Sequence, residues 1–186
     1  NPAKDAYGQR IGWTGYTWQE QLFPSPSNFL KWTEKENLKV ALNLHPASGI
    51  EPFEAQYEDF VADYGWDKPG EGVPFRMSQE KWADSYFKTV LGPMEDDGVD
   101  FWWLDWQQGS RGGAKGIDTL WLLNHLHFLD SGRDGKTPLT FSRYAGLGSH
   151  RYPVGFSGDT ICTWDSLDFQ PYFTANASNA GYTWWS

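Results

Sequence analysis

The stretch that most constrains the fold is an apolar, aromatic run, DFWWLDWQQG, which extends from Asp100 to Gly109. A run of this kind predicts a strand that is buried on both faces, as the strands of parallel sheets are. Side chains alternate along a strand, so Phe101, Trp103 and Asp105 share one face. Asp105 then lies at the carboxyl end, where parallel α/β folds carry their catalytic groups. The alternative is that Asp105 caps the next helix, because aspartate is a favoured N-cap.

The aromatic content is unusually high for a core of this size. Of the 186 residues 18% are aromatic, and twelve are tryptophans. A chain of this length forms one domain and buries about 70% of its unfolded surface, which does not require so many indoles. Flat rings cover the apolar C–H faces of sugars while polar groups bind the hydroxyls, so the composition favours a carbohydrate site. Trp13 and Trp18 are interpreted either as part of such a site or as packing elements.

Charge and hydropathy argue against two classes of partner. The formal net charge is −9 and the basic residues do not cluster, so we do not expect the protein to bind nucleic acid. No apolar run approaches the ~18 to 20 residues that cross a membrane, so a membrane partner is not expected. The single Cys162 cannot form an internal disulfide. Cysteine usage therefore assigns no compartment to this soluble chain, and secretion or a periplasmic location is compatible with it.

Helix and strand signals alternate along the chain. The predicted elements are a helix from Pro26 to Glu36, a strand from Leu38 to His45, a helix from Gln79 to Leu91, the strand after Asp100, a helix from Ile117 to Leu129, a strand from Pro138 to Arg143, a short strand within Pro153 to Thr160, a helix from Asp165 to Asn176 and a strand from Tyr182 to Ser186. This order is typical of a (β/α) barrel or a doubly wound sheet. A whole barrel needs about 250 residues, so at most five or six of eight strands are present.

Two segments interrupt the simple alternation. Residues 47–76 hold many glycines and prolines, which predicts an excursion loop over a site, with its acidic residues on a solvated face. In the helix that follows, Trp82, Tyr86 and Val90 are spaced by four residues and predict a buried stripe. We expect Pro93 to kink or end that helix.

Polar residues at the ends of predicted strands are the candidate functional groups. His45 ends one strand, Arg143 ends another, and Asp159 supplies a second carboxylate after a short strand. An arginine there needs an acidic partner, because a lone buried charge is costly. Metal binding is not expected, since His45 has no ligand at suitable spacing and His125 and His127 do not share a helix face. No cofactor is called for.

Five stretches of the chain carry a family resemblance. They are Gly12 to Trp18, Leu42 to Ala47, Asp100 to Gly109, Phe141 to Gly146 and Arg151 to Thr160. In sequence and order they resemble glycoside hydrolase family 31, whose pair of acidic motifs is specific. Its members are retaining α-glycosidases on a (β/α)8 barrel, chiefly α-glucosidases and α-xylosidases, with some α-galactoside-type enzymes and transglycosylases.

The resemblance implies a role for each candidate residue. Asp105, after the fourth barrel strand, would be the nucleophile, and Asp159, after the sixth, would be the general acid/base. The resemblance also implies that Trp103 and Arg143 bind the sugar. Apart from the resemblance, the further predicted substrate-binding residues are Phe156 and His45, where His45 either lines the substrate or supports a residue that does. We expect Asp159 to be buried near Phe156, because burial favours the protonated form that a general acid needs.

The fold class predicted by the resemblance is α/β, a partial (β/α)8 barrel of roughly strands 3 to 7, with residues 1–186 a fragment of one catalytic domain. Its partners would be an oligosaccharide or glycoside and the remainder of the same domain. Many members read Trp-Xaa-Asp-Met-Asn-Glu around the nucleophile, whereas Asp105 is followed by Trp106-Gln107-Gln108. The His-Asp pair that the family carries after its seventh strand is not reached before Ser186.

The functional expectation is a retaining α-glycosidase that hydrolyses terminal α-linked sugars, α-glucosidase-like, through a covalent glycosyl-enzyme. Other specificities stay open, namely α-galactoside or α-N-acetylgalactosaminide, α-xyloside, or transglycosylation. The alternative class is an isolated, inactive barrel fragment or a sugar-binding module.

Two geometric expectations follow from this hypothesis. The strands that end at His45, Asp105 and Arg143 should be adjacent and parallel in one sheet. The carboxyl groups of Asp105 and Asp159 should face one another about 5 to 5.5 Å apart, as retaining glycosidases require.

Overall fold

The computed structural model describes residues 4, 6–8, 11–105, 109–143, 146, 148–152 and 154–182, and the backbone of 184–185. The helices are α1 (Pro26–Lys35), α2 (Tyr57–Tyr64), α3 (Glu80–Ser85), α4 (Gly92–Asp96), α5 (Thr119–Ser131) and α6 (Trp164–Asn179). The strands are β1 (Ala41–Leu44), β2 (Phe101–Leu104), β3 (Phe141–Arg143), β4 (Val154–Phe156) and β5 (Trp184–Trp185). A π-helical segment, Tyr86–Leu91, joins α3 to α4, and short 3-10 turns lie at Pro46–Ser48, Arg133–Gly135 and Ser149–Arg151.

The five strands form one parallel sheet in the order β1-β2-β3-β4-β5. One row of the register contains Leu44, Leu104, Ser142, Gly155 and Trp185. The prediction that the strands ending at His45, Asp105 and Arg143 are parallel neighbours is therefore confirmed. Among the described strands the sheet is not closed into a ring, so the fold is a partial barrel.

The two faces of β2 differ in burial, and the prediction that both are buried is correct only for the face of Trp102 and Leu104, since Phe101 and Trp103 are half-buried. Trp102 and Leu104 are buried, and Trp102 Nε1 donates to Glu95 Oε1 of α4 at 2.6 Å. On the opposite face, Trp103 stacks on Phe141 with ring centroids 5.6 Å apart and meets the edge of Phe156 at 5.5 Å. The helices thus cover one face, and the other carries an aromatic layer.

The helix that precedes β2 is longer than predicted. Trp82, Tyr86 and Val90 are fully buried, which confirms the predicted stripe. Pro93, however, does not end the helix, which continues as α4 to Asp96. The π-helical segment explains this, because the Gly92 N–H bonds to Phe87 O and the chain gains the room that a proline ring needs.

The excursion after β1 is an ordered part of the fold. Its ends are joined by a pair of hydrogen bonds between Ile50 and Val73, both fully buried, and it contains α2. The expectation that its acidic residues are all solvated is wrong for Glu54, which is only 4% exposed. Its partners are threonines of a distant segment, and sequence spacing does not reveal such a contact.

His127 of α5 lies within the core and provides a pH-dependent prediction. It is buried against Tyr86 and Phe87, and burial lowers the pKa of His127 to about 3. Between pH 6.5 and 3 the unfolded chain therefore binds a proton that the folded chain does not. As the pH is lowered from 6.5 to 3, the free energy of unfolding should decrease by up to about 1.4 kcal/mol per pH unit. Above pH 6.5 this loss should be absent.

The variant His127→Phe should remove this slope in unfolding titrations at pH 7, 6 and 5 on the protein that contains the chain. Leu123→Ala, also in the buried part of α5, is the control because it destabilises the core without removing a titratable group. An unchanged slope in His127→Phe would contradict the assignment.

Helix α6 exposes much of its apolar surface. Trp164, Leu167, Phe169 and Tyr172 are all more than half exposed, and Ala177 is its one buried residue among those described. Within the same described part of the chain, no helix combines the length and apolar character needed to span a bilayer.

Candidate active site

The candidate residues lie in one row across the carboxyl ends of the strands. Leu44 pairs with Leu104 and Leu104 with Ser142, so the next residues, His45, Asp105 and Arg143, are neighbours. Arg143 itself pairs with Phe156 of β4. Four of the predicted site residues are thus brought together by register alone, although they are far apart in sequence.

Arg143 is the centre of this row. Its Nε donates to Asp105 Oδ1, and its Nη2 donates to Asp159 Oδ1 at 2.8 Å. Its Cζ lies 4.9 Å from the centre of the Phe156 ring, a cation–π contact. One guanidinium therefore bonds both candidate catalytic carboxylates.

The charge environment of Arg143 is set by these contacts. Burial alone would lower the pKa of Arg143, but its bonds to Asp105 and Asp159 outweigh burial and raise that pKa above its ordinary value. An arginine at a strand end was expected to need an acidic partner, and Arg143 has two, Asp105 and Asp159. Arg143 is thus a fixed positive charge between two carboxylates.

Asp105 is the buried carboxylate of the pair. Its residue is 8% exposed, and its second oxygen, Oδ2, accepts a hydrogen bond from His45 Nε2 at 3.1 Å. The backbone N–H of His45 in turn donates to Thr14 O at 3.1 Å. Asp105 is consequently held on both oxygens by side chains of the two flanking strands.

Asp159 has a different environment from the predicted one. Its side chain is 86% exposed in the loop after β4, whereas the sequence led us to expect burial near Phe156. That expectation is wrong in this structure, in which Arg143 and not the carboxylate lies over the face of Phe156. The separation of the Asp105 and Asp159 carboxyl groups remains a prediction.

Trp103 lies two residues before Asp105 on the same face, as predicted. Its Nε1 is buried and has no hydrogen-bond partner among the described residues. With Phe141 and Phe156 it forms the aromatic layer beneath the row of polar side chains. A flat apolar floor below paired carboxylates suits a pyranose ring.

The segment from Gly12 to Trp18 borders this row. Trp13, 59% exposed, meets the His45 ring edge-on at a centroid distance of 5.9 Å. This segment is held by Glu54, whose two carboxylate oxygens accept hydrogen bonds from the hydroxyls of Thr14 and Thr17. Sequence reasoning missed Glu54 and both threonines. The available signal was the GWTGYTW run itself, with threonines among aromatics.

Glu54 is expected to contribute strongly to stability, because it is a buried carboxylate that satisfies two hydroxyls. Glu54→Ala leaves Thr14 and Thr17 without their acceptor and creates a cavity, so we expect a loss of about 2–4 kcal/mol. Glu58→Ala, an exposed glutamate of the same excursion, should cost less than about 1 kcal/mol. Urea denaturation followed by tryptophan fluorescence compares them, and equal losses would contradict this role of Glu54.

No group of three or more metal-ligating side chains occurs in the part of the chain that the structure describes. The residues Trp106 to Gln108, where the sequence departs from the family pattern, lie outside the described residues.

The model of the glycosyl hydrolases family 31 TIM-barrel domain matches residues 5–186, which is nearly the whole chain. The chain belongs to glycoside hydrolase family 31. No curated protein sequence matches this family 31 domain.

Solved structures share its fold. An α-xylosidase of this family from Xanthomonas citri matches with a TM-score of 0.69 and 20% identity over 94% of this chain and 22% of its own. A xylosidase from Aspergillus niger has a TM-score of 0.65 and 16% identity over 92% and 31% of the two chains. A cycloalternan-degrading enzyme from Trueperella pyogenes has a TM-score of 0.63 and 20% identity over 87% and 27%.

These likenesses establish the fold of the domain. The family 31 domain spans less than a third of each of these three chains. Family membership is shown, and the activity of the whole protein, its substrate and the roles of individual residues belong to the proposal below.

Proposed function

We propose that this family 31 domain supplies the catalytic centre of a retaining α-glycosidase, with Asp105 as nucleophile and Asp159 as general acid/base. The observation that supports the proposal most is the single guanidinium of Arg143, which bonds one carboxylate at the end of β2 and another just after β4. Two carboxylates at the carboxyl edge of a parallel sheet are the arrangement that glycoside hydrolysis needs.

The first half of the reaction forms a covalent intermediate. The Asp105 carboxylate attacks the anomeric carbon, the bond to the leaving oxygen breaks, and Asp159 transfers its proton to that oxygen. The nucleophile must be ionised for this step, and the cationic Arg143 beside Asp105 provides the matching charge. His45 holds the second oxygen and so fixes the direction of attack.

The second half releases the sugar. Asp159, now ionised, takes a proton from water, the water oxygen attacks the anomeric carbon, and the ester bond to Asp105 breaks. The exposure of Asp159 suits this base role, because its carboxylate is open to water. The configuration at the anomeric carbon is retained after two inversions.

We also propose that the domain acts as part of a larger barrel. The open sheet leaves β1 and β5 with one described strand neighbour each, and α6 exposes four large apolar side chains. The remainder of the same catalytic domain is the partner that would cover these surfaces. The alternative, an inactive fragment or sugar-binding module, predicts glycan binding without turnover by the complete protein.

The specificity proposed first is for terminal α-glucosides. The names of the matched structures point to α-xylosides and to cycloalternan for those proteins. Specificity for α-galactosides or α-N-acetylgalactosaminides, and transglycosylation, remain competing proposals.

The test is a panel of nitrophenyl α-glycosides of glucose, xylose, galactose and N-acetylgalactosamine, given to the complete protein that contains the chain, with a nitrophenyl β-glucoside as control. We expect turnover of at least one α-glycoside and, by proton NMR, initial release of the α-anomer. Initial release of the β-anomer would refute retention, and binding without turnover would support the sugar-binding alternative.

A further inference from the structure

Gly158, the residue before Asp159, has a conformation and a close neighbour that strongly favour glycine. Its φ is +97°, in the left-handed region that side chains disfavour. A Cβ built at this position would lie 2.6 Å from Arg143 Nη1, closer than side-chain atoms approach one another. The loop after β4 therefore passes directly against the guanidinium that bonds both carboxylates.

Arg143 cannot easily move away from such a Cβ. Asp105 bonds its Nε, Asp159 bonds its Nη2, and the ring of Phe156 lies against its plane. A methyl group at residue 158 would have to break one of these contacts. Asp105 is buried and also held by His45, whereas Asp159 is 86% exposed, so the contact to Asp159 is the one that should yield.

The contact with Arg143 is the one that orients Asp159. Among the described residues no other side chain forms a hydrogen bond or ion pair with its carboxylate. Without Arg143 the carboxylate would rotate freely in a solvent-exposed loop. An acid that is not held in place loses much of its catalytic contribution, because proton transfer depends on geometry.

We propose that Gly158 is a positioning residue for the general acid/base, since it lets Arg143 approach closely enough to hold Asp159 beside Asp105. This inference rests on the proposed function. It predicts that a single methyl group at residue 158 uncouples Asp159 from the site while Asp105 stays in place.

The experiment compares Gly158→Ala with Gly70→Ala in the complete protein. Gly70 also has a positive φ, +80°, but a Cβ there meets no described atom within 4 Å, so this control carries the backbone strain without the clash. Circular dichroism and melting temperature check that both variants fold. Each is assayed with a natural glycoside, whose sugar leaving group needs a proton, and with an activated glycosyl fluoride, with and without azide.

The expected result for Gly158→Ala is a fall in kcat/KM of about 10-fold to 100-fold on substrates that need the acid, and a much smaller fall on the fluoride. In this variant azide should accelerate release of the sugar from the glycosyl-enzyme and yield a glycosyl azide, because a small anion needs no general base to attack. Gly70→Ala should change kcat/KM less than about 3-fold, and azide should not affect it. A purely structural defect would lower kcat/KM equally on both substrates and would give no glycosyl azide.

Equal losses in the two variants, or no azide effect in Gly158→Ala, would overturn the inference. A crystal structure of Gly158→Ala provides a readout that is independent of activity. The Arg143 Nη2 to Asp159 Oδ1 contact, 2.8 Å here, should be lost while the contact to Asp105 remains. If the unaltered protein hydrolyses no glycoside, the proposed function fails, and the crystal structure alone decides whether Gly158 positions Asp159.

Discussion

Asp105→Ala is expected to abolish turnover of every glycoside in the complete protein, with a fall in kcat of about 10⁴-fold or more. Without the carboxylate no glycosyl-enzyme can form, however good the leaving group is. The measurement is steady-state hydrolysis of both a nitrophenyl glycoside and a glycosyl fluoride. Because Asp105 is bonded by His45 and Arg143, the melting temperature should be recorded beside the rates.

Asp100→Ala is the matched control for that variant. Asp100 precedes the opposite end of β2, pairs with Lys39 and accepts a hydrogen bond from Val40 N. Its removal disturbs the same strand without touching the candidate site, so kcat should change less than about 3-fold, as for a substitution remote from the chemistry. Residual turnover in Asp105→Ala at a tenth of the normal rate would rule out Asp105 as the nucleophile.

Asp159→Ala should behave differently from Asp105→Ala. Loss of the acid should slow hydrolysis of substrates with poor leaving groups by about 10²-fold to 10⁴-fold. A dinitrophenyl or fluoride glycoside should still load the nucleophile, because its leaving group needs no proton. The intermediate should then accumulate, and azide should release it as a glycosyl azide. The assay is burst kinetics followed by mass spectrometry of the products.

The comparison of the two variants tests the assignment of roles. Azide rescue of Asp105→Ala, with Asp159→Ala inert on every substrate, would show that the roles are reversed. The structure motivates the present assignment because Asp105 is buried and held on both oxygens at a strand end, while Asp159 is exposed in a loop. The group that must attack along one direction is the rigid one.

Much of the fold was predictable because it is encoded in local patterns. The aromatic run after Asp100, the alternation before His45 and the start of α1 at Pro26 each depend on neighbours in sequence. Parallel pairing of the strands followed from the connections between them, since long crossovers join parallel neighbours. The candidate site followed in turn, because the carboxyl ends of parallel strands meet at one edge.

Three features were not predictable from local pattern. The burial of Glu54 depends on hydroxyls about 40 residues away in the chain. The continuation of the helix through Pro93 depends on a π-helical turn, which propensity alone does not indicate. The exposure of Asp159 depends on the course of the loop after β4, and in the folded chain Arg143, not Asp159, lies over the face of Phe156.

The amino-acid sequence by itself determined which residues end the strands, and therefore that His45, Asp105 and Arg143 share one edge of a parallel sheet. Periodicity and turn residues act over a few positions, so they can be read without the rest of the fold. Only the tertiary structure decided how those residues are paired. Which oxygen Arg143 bonds, and how closely Gly158 approaches it, depend on distances between segments that meet only after folding.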